Sequence, residues 1–276
     1  MRGSTERMAV LRNGLRLPVN VRDFNGRMLY LFGTPDPKIV LACRGLLRPG
    51  DCFLDIGANY GAVGLMCRDA VGHGGSVHLF EPQPDLCRRI RECITGAGLT
   101  NVHLHDIGLL DRDDELQIRC ETGHSGSGSF YTTPSDAYAL TVPVRDIEQY
   151  VPPLVNSRPL GVKLDVEGAE PVLLPWILRQ PQLRFVAFEC SHLGDQQAVW
   201  EAVNDARCVL YGFQKTLLRV RLSAIRKIGQ LSDYHDVVAV RLSRGRPSAS
   251  FISPGALRDL IEDTAGADQP GAAVAP

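Results

Sequence analysis

Phe53-Leu54-Asp55-Ile56-Gly57-Ala58-Asn59-Tyr60-Gly61-Ala62-Val63-Gly64 is the stretch from which the rest of this chain can be read. Cys52 to Ile56 is a short apolar run, long enough for a buried strand and too short for a helix. Gly57 and Gly61 interrupt it, and Ala62 to Val71 resumes with apolar residues at helical spacing. The unit is strand, glycine turn, helix. A glycine has no Cβ and tolerates positive φ, so such a turn admits close approach of a ligand to backbone. It also aims free N–H groups of the helix N-terminus at whatever lies above the strand.

The spacing separates two kinds of nucleotide site. A dinucleotide fingerprint reads G-x-G-x-x-G and cradles a pyrophosphate. Here Asp55 precedes the first glycine, and Gly57 and Gly61 stand four apart. A carboxylate there repels pyrophosphate and suits an ammonium group. S-adenosylmethionine has an ammonium, a carboxylate and a sulfonium but no phosphate. Asp55 for the ammonium and the turn N–H groups for the carboxylate fit it better than a nicotinamide dinucleotide. An ordinary strand-to-helix turn with an acidic edge explains this one motif about equally well.

Working outward, the chain alternates strands and helices. Residues 1–37 read as a β-hairpin lead-in, with Met28 to Phe32 as one of its apolar segments. A helix is expected from Pro35 or Pro37 to about Leu47. Beyond the turn, Ser76 to Phe80, Asn101 to His105, Leu160 to Val166, Arg184 to Glu189, Cys208 to Phe213 and Asp236 to Leu242 read as strands. Helices are expected at 85–97, from about Ala169 (with Pro175 kinking it) and at 196–206. The succession predicts a largely parallel sheet with helices on both faces. Leu109 to Thr122 reads as a β-excursion, Gly123 to Gly128 as a polar loop, Leu140 to Val144 as a strand and Pro152-Pro153 as linker. Residues 246–276 are expected to hold a C-terminal helix and a disordered tail, leaving 38–245 as the main domain.

At 276 residues and 44% hydrophobic, the chain can bury one sizeable core. A net charge of −1 gives no reason to expect nucleic acid or an anionic membrane as partner. No apolar run is long enough to span a bilayer, and the basic N-terminus is not followed by a signal core. Eight cysteines occur singly, several in apolar runs and none as CxxC, which reads as reduced thiols in a cytosolic protein.

Acids recur at the carboxyl ends of the candidate strands, where ligands bind in open α/β sheets. Asp55 ends the first. Glu81 ends the second, at the roughly 20-residue offset expected of a ribose-binding acid. Asp106 ends the third, within reach of an adenine amino group. Asp165 and Glu167 end the fourth. A single acid at a strand end is commonly a cap or a solvated turn residue, whereas four strand ends in register point to a ligand site.

Asp55-Ile56-Gly57-Ala58-Asn59-x-Gly61, then Phe80-Glu81-Pro82, Ser125-Gly126-Ser127-Gly128-Ser129 and Lys163-Leu164-Asp165-Val166-Glu167-Gly168-Ala169-Glu170 together resemble the FkbM family. Its members are class I S-adenosylmethionine-dependent methyltransferases, acting mostly on hydroxyls of sugars, polyketides and similar secondary metabolites. The resemblance covers about residues 38–213. It implies a Rossmann-like α/β fold with a seven-stranded sheet, six strands parallel and one antiparallel, the first strand central. It assigns S-adenosylmethionine contacts to Asp55, Gly57, Asn59, Gly61 and Glu81, and the active-site rim to Asp165, Glu167 and the Ser125–Ser129 loop, Ser127 included. Asp106 joins the cofactor set by its position.

A hydroxyl acceptor benefits from a positioned base. Asp165, Glu167 and His192, which follows the fifth strand, are the candidates, the acids ahead of the histidine. Asp165 and Glu167 face opposite ways if their strand persists through 167. Lys163 is their candidate counter-charge or a buried structural partner. Asp165, Glu167 and Glu189 offer oxygen ligands to Mg²⁺, but no spacing demands a metal, and none is expected. The basic stretch from Gln214 to Gln230 reads foremost as a solvated face. Its functional reading is a grip on a nucleotide- or carrier-linked acceptor. The alternatives are a non-catalytic S-adenosylmethionine-binding module, transfer to nitrogen, and a nicotinamide dehydrogenase, the last disfavoured by the glycine spacing. Oligomeric state is not legible, a homodimer being one option.

Overall fold

Two sheets and a hairpin carry the chain in a computed structural model that describes residues 5–34, 36–130, 137–190, 193–215 and 220–242. The hairpin pairs β1 (Glu6–Val10) with β2 (Arg16–Asn20). Met28 to Phe32, expected to be extended, instead lies in helix α1 (Phe24–Phe32). Local signals outside that apolar run account for the difference. Asp23 caps the helix by accepting from Gly26 N–H, and Gly33 ends it in the left-handed conformation at φ 67°.

Helix α2 (Pro37–Leu46) leads into β3 (Cys52–Ile56), which is followed by α3 (Ala62–Val71), β4 (Ser76–Phe80), α4 (Pro84–Gly96) and β5 (Val102–His105). An excursion then supplies β6 (Gly108–Leu110), β7 (Asp114–Glu121), β8 (His124–Ser129) and β9 (Ala137–Asp146). The expected polar loop at 123–128 is thus strand β8, its backbone paired to β7 although its side chains carry no strand-like pattern. Pro152-Pro153, expected as linker, open the short helix α6 (Pro152–Val155) behind α5 (Ile147–Tyr150), because proline suits a first helical turn.

The main sheet resumes with β10 (Leu160–Leu164), α7 (Glu170–Arg179), β11 (Leu183–Glu189), α8 (Gln196–Asp205), β12 (Cys208–Lys215), β13 (Val220–Ala224) and β14 (Asp236–Arg241). Helix α7 runs unbroken across Pro175. Pro175 is the sixth of its ten residues and costs the helix a rung without ending it.

The main sheet has eight strands, in the order β13-β12-β14-β11-β10-β3-β4-β5. β3, β4, β5, β10 and β11 are parallel, β14 runs against β11 and β12, and β13 is antiparallel to β12. Without β13 this is the expected arrangement of six parallel strands and one antiparallel. The added edge strand comes from the basic stretch at 214–230. The excursion forms a second sheet, β6-β9-β7-β8.

Alternation along β3 divides the core: Phe53 packs with the α2 to α4 side, and Cys52, Leu54 and Ile56 with the α7 and α8 side. All eight cysteines are free and buried. Among the described residues, no helix is long and apolar enough to cross a membrane. Residues 246–276 and His192 lie outside the described residues.

Candidate active site

A cavity of about 480 Å³ opens above the carboxyl ends of the parallel strands. Its lining includes Gly57 and Asn59 after β3, Glu81 and Gln83 after β4, Asp165 and Glu167 after β10, Glu189 at the end of β11, and His235 and Asp236 at β14. With strands about 4.8 Å apart, the span from β4 to β14 is roughly 19 Å, long enough for a nucleoside at one end and an acceptor at the other. The β8 strand closes one wall through Ser125, Gly126 and Gly128.

Glu81 is 3% exposed. Its two carboxylate oxygens accept from the backbone N–H groups of Asn59 (2.8 Å) and Gln83 (2.9 Å). Burial pushes its carboxyl up to about 7, against the lowering effect of those two donors. Asn59 sits at φ 52°, which turns its N–H back toward Glu81.

Gly57 has no alternative residue. At φ 74°, a Cβ there would meet the Asp165 carbonyl oxygen at 1.8 Å, so the β3 turn and the β10 end touch backbone to backbone. The turn's N–H groups are largely engaged inside the protein. Gly57 and Ala58 donate to Phe80 O, and Gly61 donates to Ala58 O. Of the expected carboxylate cradle of turn N–H groups, these three are spent inside the protein, Gly57 and Ala58 bracing the turn against β4 and Gly61 closing the turn on itself.

Asp55 is placed differently from its expected role. It is fully buried and absent from the cavity lining, on the β3 face that meets α3. Its Oδ2 accepts from Gly64 N–H (2.8 Å), and its Oδ1 lies 3.2 Å from Lys163 Nζ. Lys163 also donates to Gly57 O at 2.5 Å and lies 3.5 Å from Asp165. Burial alone would lower the Lys163 ammonium's pKa, but the Asp55 and Asp165 carboxylates hold it above the usual range. This group underpins the turn from below.

Gly61, at φ 72°, packs against Ile90 and Leu79 and does not line the cavity. Asp106 is exposed and held by Arg91 at 2.6 Å, away from the lining. Ser127 donates to His124 O and accepts from Glu121 N–H, which spends its hydroxyl within the β7–β8 hairpin. Its neighbour Ser125 is the serine of that run that lines the cavity.

Toward β11 the lining turns acidic. The β10 strand stops at Leu164, so Glu167 does not simply alternate with Asp165. Glu167 adopts φ 52° in a loop whose Val166 and Gly168 N–H groups both donate to the buried Glu170, each at 2.8 Å. Carboxylate oxygens of Asp165, Glu167 and Glu189 then lie within 4.8 Å of one another. This oxygen set could hold a divalent cation, and the crowding has a direct electrostatic effect. Burial, with Asp165, Glu189 and Glu170 adding like charge, pushes the Glu167 carboxyl up to about 8.

His235 was not singled out in the sequence. It lies 3.2 Å from both Glu189 and Asp236, and Lys38 reaches Asp36 (3.2 Å) and Asp236. Only the antiparallel register, with Glu189 opposite Asp236, brings these residues together. None of the described residues of 214–230 lines this cavity.

The family model described as "Methyltransferase FkbM domain" matches residues 55–242. No curated protein matches the chain. Among solved structures, a precorrin-6y C5,15-methyltransferase from Geobacter metallireducens is 12% identical, with 74% of this chain and 87% of that one covered at a TM-score of 0.42. A SAM-dependent methyltransferase from Aquifex aeolicus is 14% identical, covering 77% and 90% at 0.37. A SAM-dependent O-methyltransferase from Thermotoga maritima is 10% identical, covering 90% and 96% at 0.40.

Proposed function

The chain belongs to the FkbM methyltransferase family, and from that premise we propose that it is an S-adenosylmethionine-dependent O-methyltransferase of a small-molecule hydroxyl, on a sugar, polyketide or similar metabolite. The carrying observation is Glu81, a buried cavity-lining acid with both oxygens fixed by backbone donors at the β4 end. The lining near it is uncharged or acidic (Asn25, Asn59, Glu81, Gln83, Ser125), which suits a nucleoside without phosphate. Glu81 would take the ribose hydroxyls, with Asn59, Gln83 and Ser125 forming the polar wall around them. When bound, the cofactor supplies an electrophilic methyl carbon on a sulfonium leaving group. The protein's remaining work is to align an acceptor oxygen and take its proton. One acid of the Asp165–Glu167 pair is the base for that proton.

Replacing either acid by its amide should leave affinity for S-adenosylhomocysteine nearly unchanged and lower turnover by roughly 10²–10⁴-fold. If Glu167 is the base, turnover should rise with pH through about 8, where its carboxyl loses the proton. Methyl transfer to a panel of hydroxyl acceptors, with titration calorimetry on the same variants, measures both. Parallel loss of cofactor affinity would move the residue to the cofactor pocket. Loss of activity on chelation, restored by Mg²⁺, would replace the base by a metal ion. One observation favours a second reading, transfer to an amine nitrogen. Asp36, Asp165, Glu167, Glu189 and Asp236 outnumber Lys38 and His235 along the acceptor end, so amine acceptors belong in the panel.

A further inference from the structure

Asp23 lies outside both the cavity lining and the residues matched by the family model, yet a chain of hydrogen bonds leads from it to the cofactor turn. It is 5% exposed and serves three donors. Oδ1 accepts from Ser125 N–H (2.6 Å), and Oδ2 accepts from the Ser125 hydroxyl (3.0 Å) and from Gly26 N–H (2.8 Å). Ser125 Oγ in turn accepts from Asn59 Nδ2 (3.1 Å), and Ser125 O accepts from Gln83 Nε2 (3.0 Å). Asn59 and Gln83 are the two residues whose N–H groups hold Glu81. The bonds therefore close a ring through Ser125, Asn59, Glu81 and Gln83, and Asp23 anchors it at Ser125.

Two close approaches make the anchor rigid. A Cβ on Gly26 would meet Asn20 O at 2.2 Å and Tyr60 Oη at 2.7 Å, so α1 lies directly on the turn. A Cβ on Gly126 would meet Asn25 Nδ2 at 2.6 Å, so β8 lies equally close to α1. Phe24 N–H also donates to Gly123 O (2.8 Å).

We propose that Asp23 is a positioning residue for the cofactor: through Ser125 it fixes the β8 wall and, through Asn59 and Gln83, the carboxylate of Glu81. The proposal rests on the reading of the cavity as an S-adenosylmethionine site and extends it to the N-terminal segment. A helix cap alone would need one oxygen and one donor. Asp23 uses both oxygens and sends two of its three bonds to a strand of the second sheet.

Asp23→Asn separates the two roles. Asparagine caps helices as well as aspartate does, but its NH₂ faces a Ser125 N–H, donor against donor. The variant should melt close to wild type and bind S-adenosylhomocysteine roughly tenfold more weakly, as expected for losing a hydrogen bond to a charged group. Asp195→Ala removes a matching cap, on α8, where Asp195 accepts from Gln197 and Ala198. It should lower the melting temperature without changing affinity. In the cofactor-free protein, hydrogen exchange in a peptide covering 57–61 should quicken in Asp23→Asn and not in Asp195→Ala. Wild-type affinity in Asp23→Asn, or affinity lost by Asp195→Ala as well, overturns the proposal. Absence of binding by the wild-type protein instead overturns the cofactor reading itself, and with it this role of Asp23.

Discussion

Asp55 and Lys163 face each other beneath the Gly57–Gly61 turn, one fully buried and the other nearly so. Removing one partner of such a pair leaves a desolvated charge behind, a loss of about 3–5 kcal/mol. Asp55→Ala also orphans the Gly64 N–H that Oδ2 accepts. We expect the variant to melt roughly 10 °C or more below wild type, since each kcal/mol shifts a domain of this size by about 2–4 °C. Thermal melting followed by circular dichroism measures this. An unchanged melting temperature with cofactor affinity abolished would restore Asp55 to the ligand side of the turn. The sequence could show that an acid belongs at this position but not which way it points. Alternation places Asp55 on the Phe53 face of β3, and only the packing of α3 onto that face decides that it meets a helix.

The loop from Asp165 to Glu170 behaves as an element in its own right. Glu170 ties it at two N–H groups, and Ser129 Oγ donates to Glu167 O at 2.6 Å. Glu170→Gln keeps one acceptor oxygen and loses the other, so the loop should loosen while α7, buried along its length, stays formed. We expect turnover to fall more than S-adenosylhomocysteine affinity. Equal losses in both would mean that the loop serves the cofactor end. The run Lys163 to Glu170 was legible as a candidate site because its acids follow a buried strand, and Asp165 and Glu167 do line the cavity. The strand's end at Leu164 and the left-handed turn at Glu167 were not, because they depend on Glu170 folding back on its own loop. Strand β8 escaped for a related reason: Ser-Gly alternation gives no apolar period, and its place is set by pairing with β7 and by Asp23. The parallel sheet with its flanking helices was legible from the βαβ succession, whereas His235 beside Glu189 required the register between β14 and β11.

At the scale of the whole molecule, two buried groups (His78, Glu81) and two half-buried ones (His105, Glu167) should give stability an optimum on the acid side of neutrality. His78 and His105 share a hydrogen-bonded chain that runs from Ser76 through both rings to the Tyr150 hydroxyl. Burial, aided by the neighbouring histidines, pushes them down to about 3 and about 4. Between those values and the ordinary 6.5, the unfolded chain binds more protons than the native one, so stability falls as pH drops through that window. Glu81 and Glu167 act in the opposite sense. Raised from 4.5 to about 7 and about 8, they bind more protons when folded, so stability falls as pH rises from 4.5 toward 8. The two effects oppose each other between about 4.5 and 6.5, and each acts alone outside that range. Melting temperatures taken across pH 3.5–9 should therefore decline on both sides of a plateau near pH 5–6. Glu167→Gln has no proton to lose, and its melting temperature relative to wild type should climb steadily from pH 5 to pH 8. A difference that stays flat over that interval would mean that Glu167 is ionised throughout, and that the carboxylates around it are paired with charge.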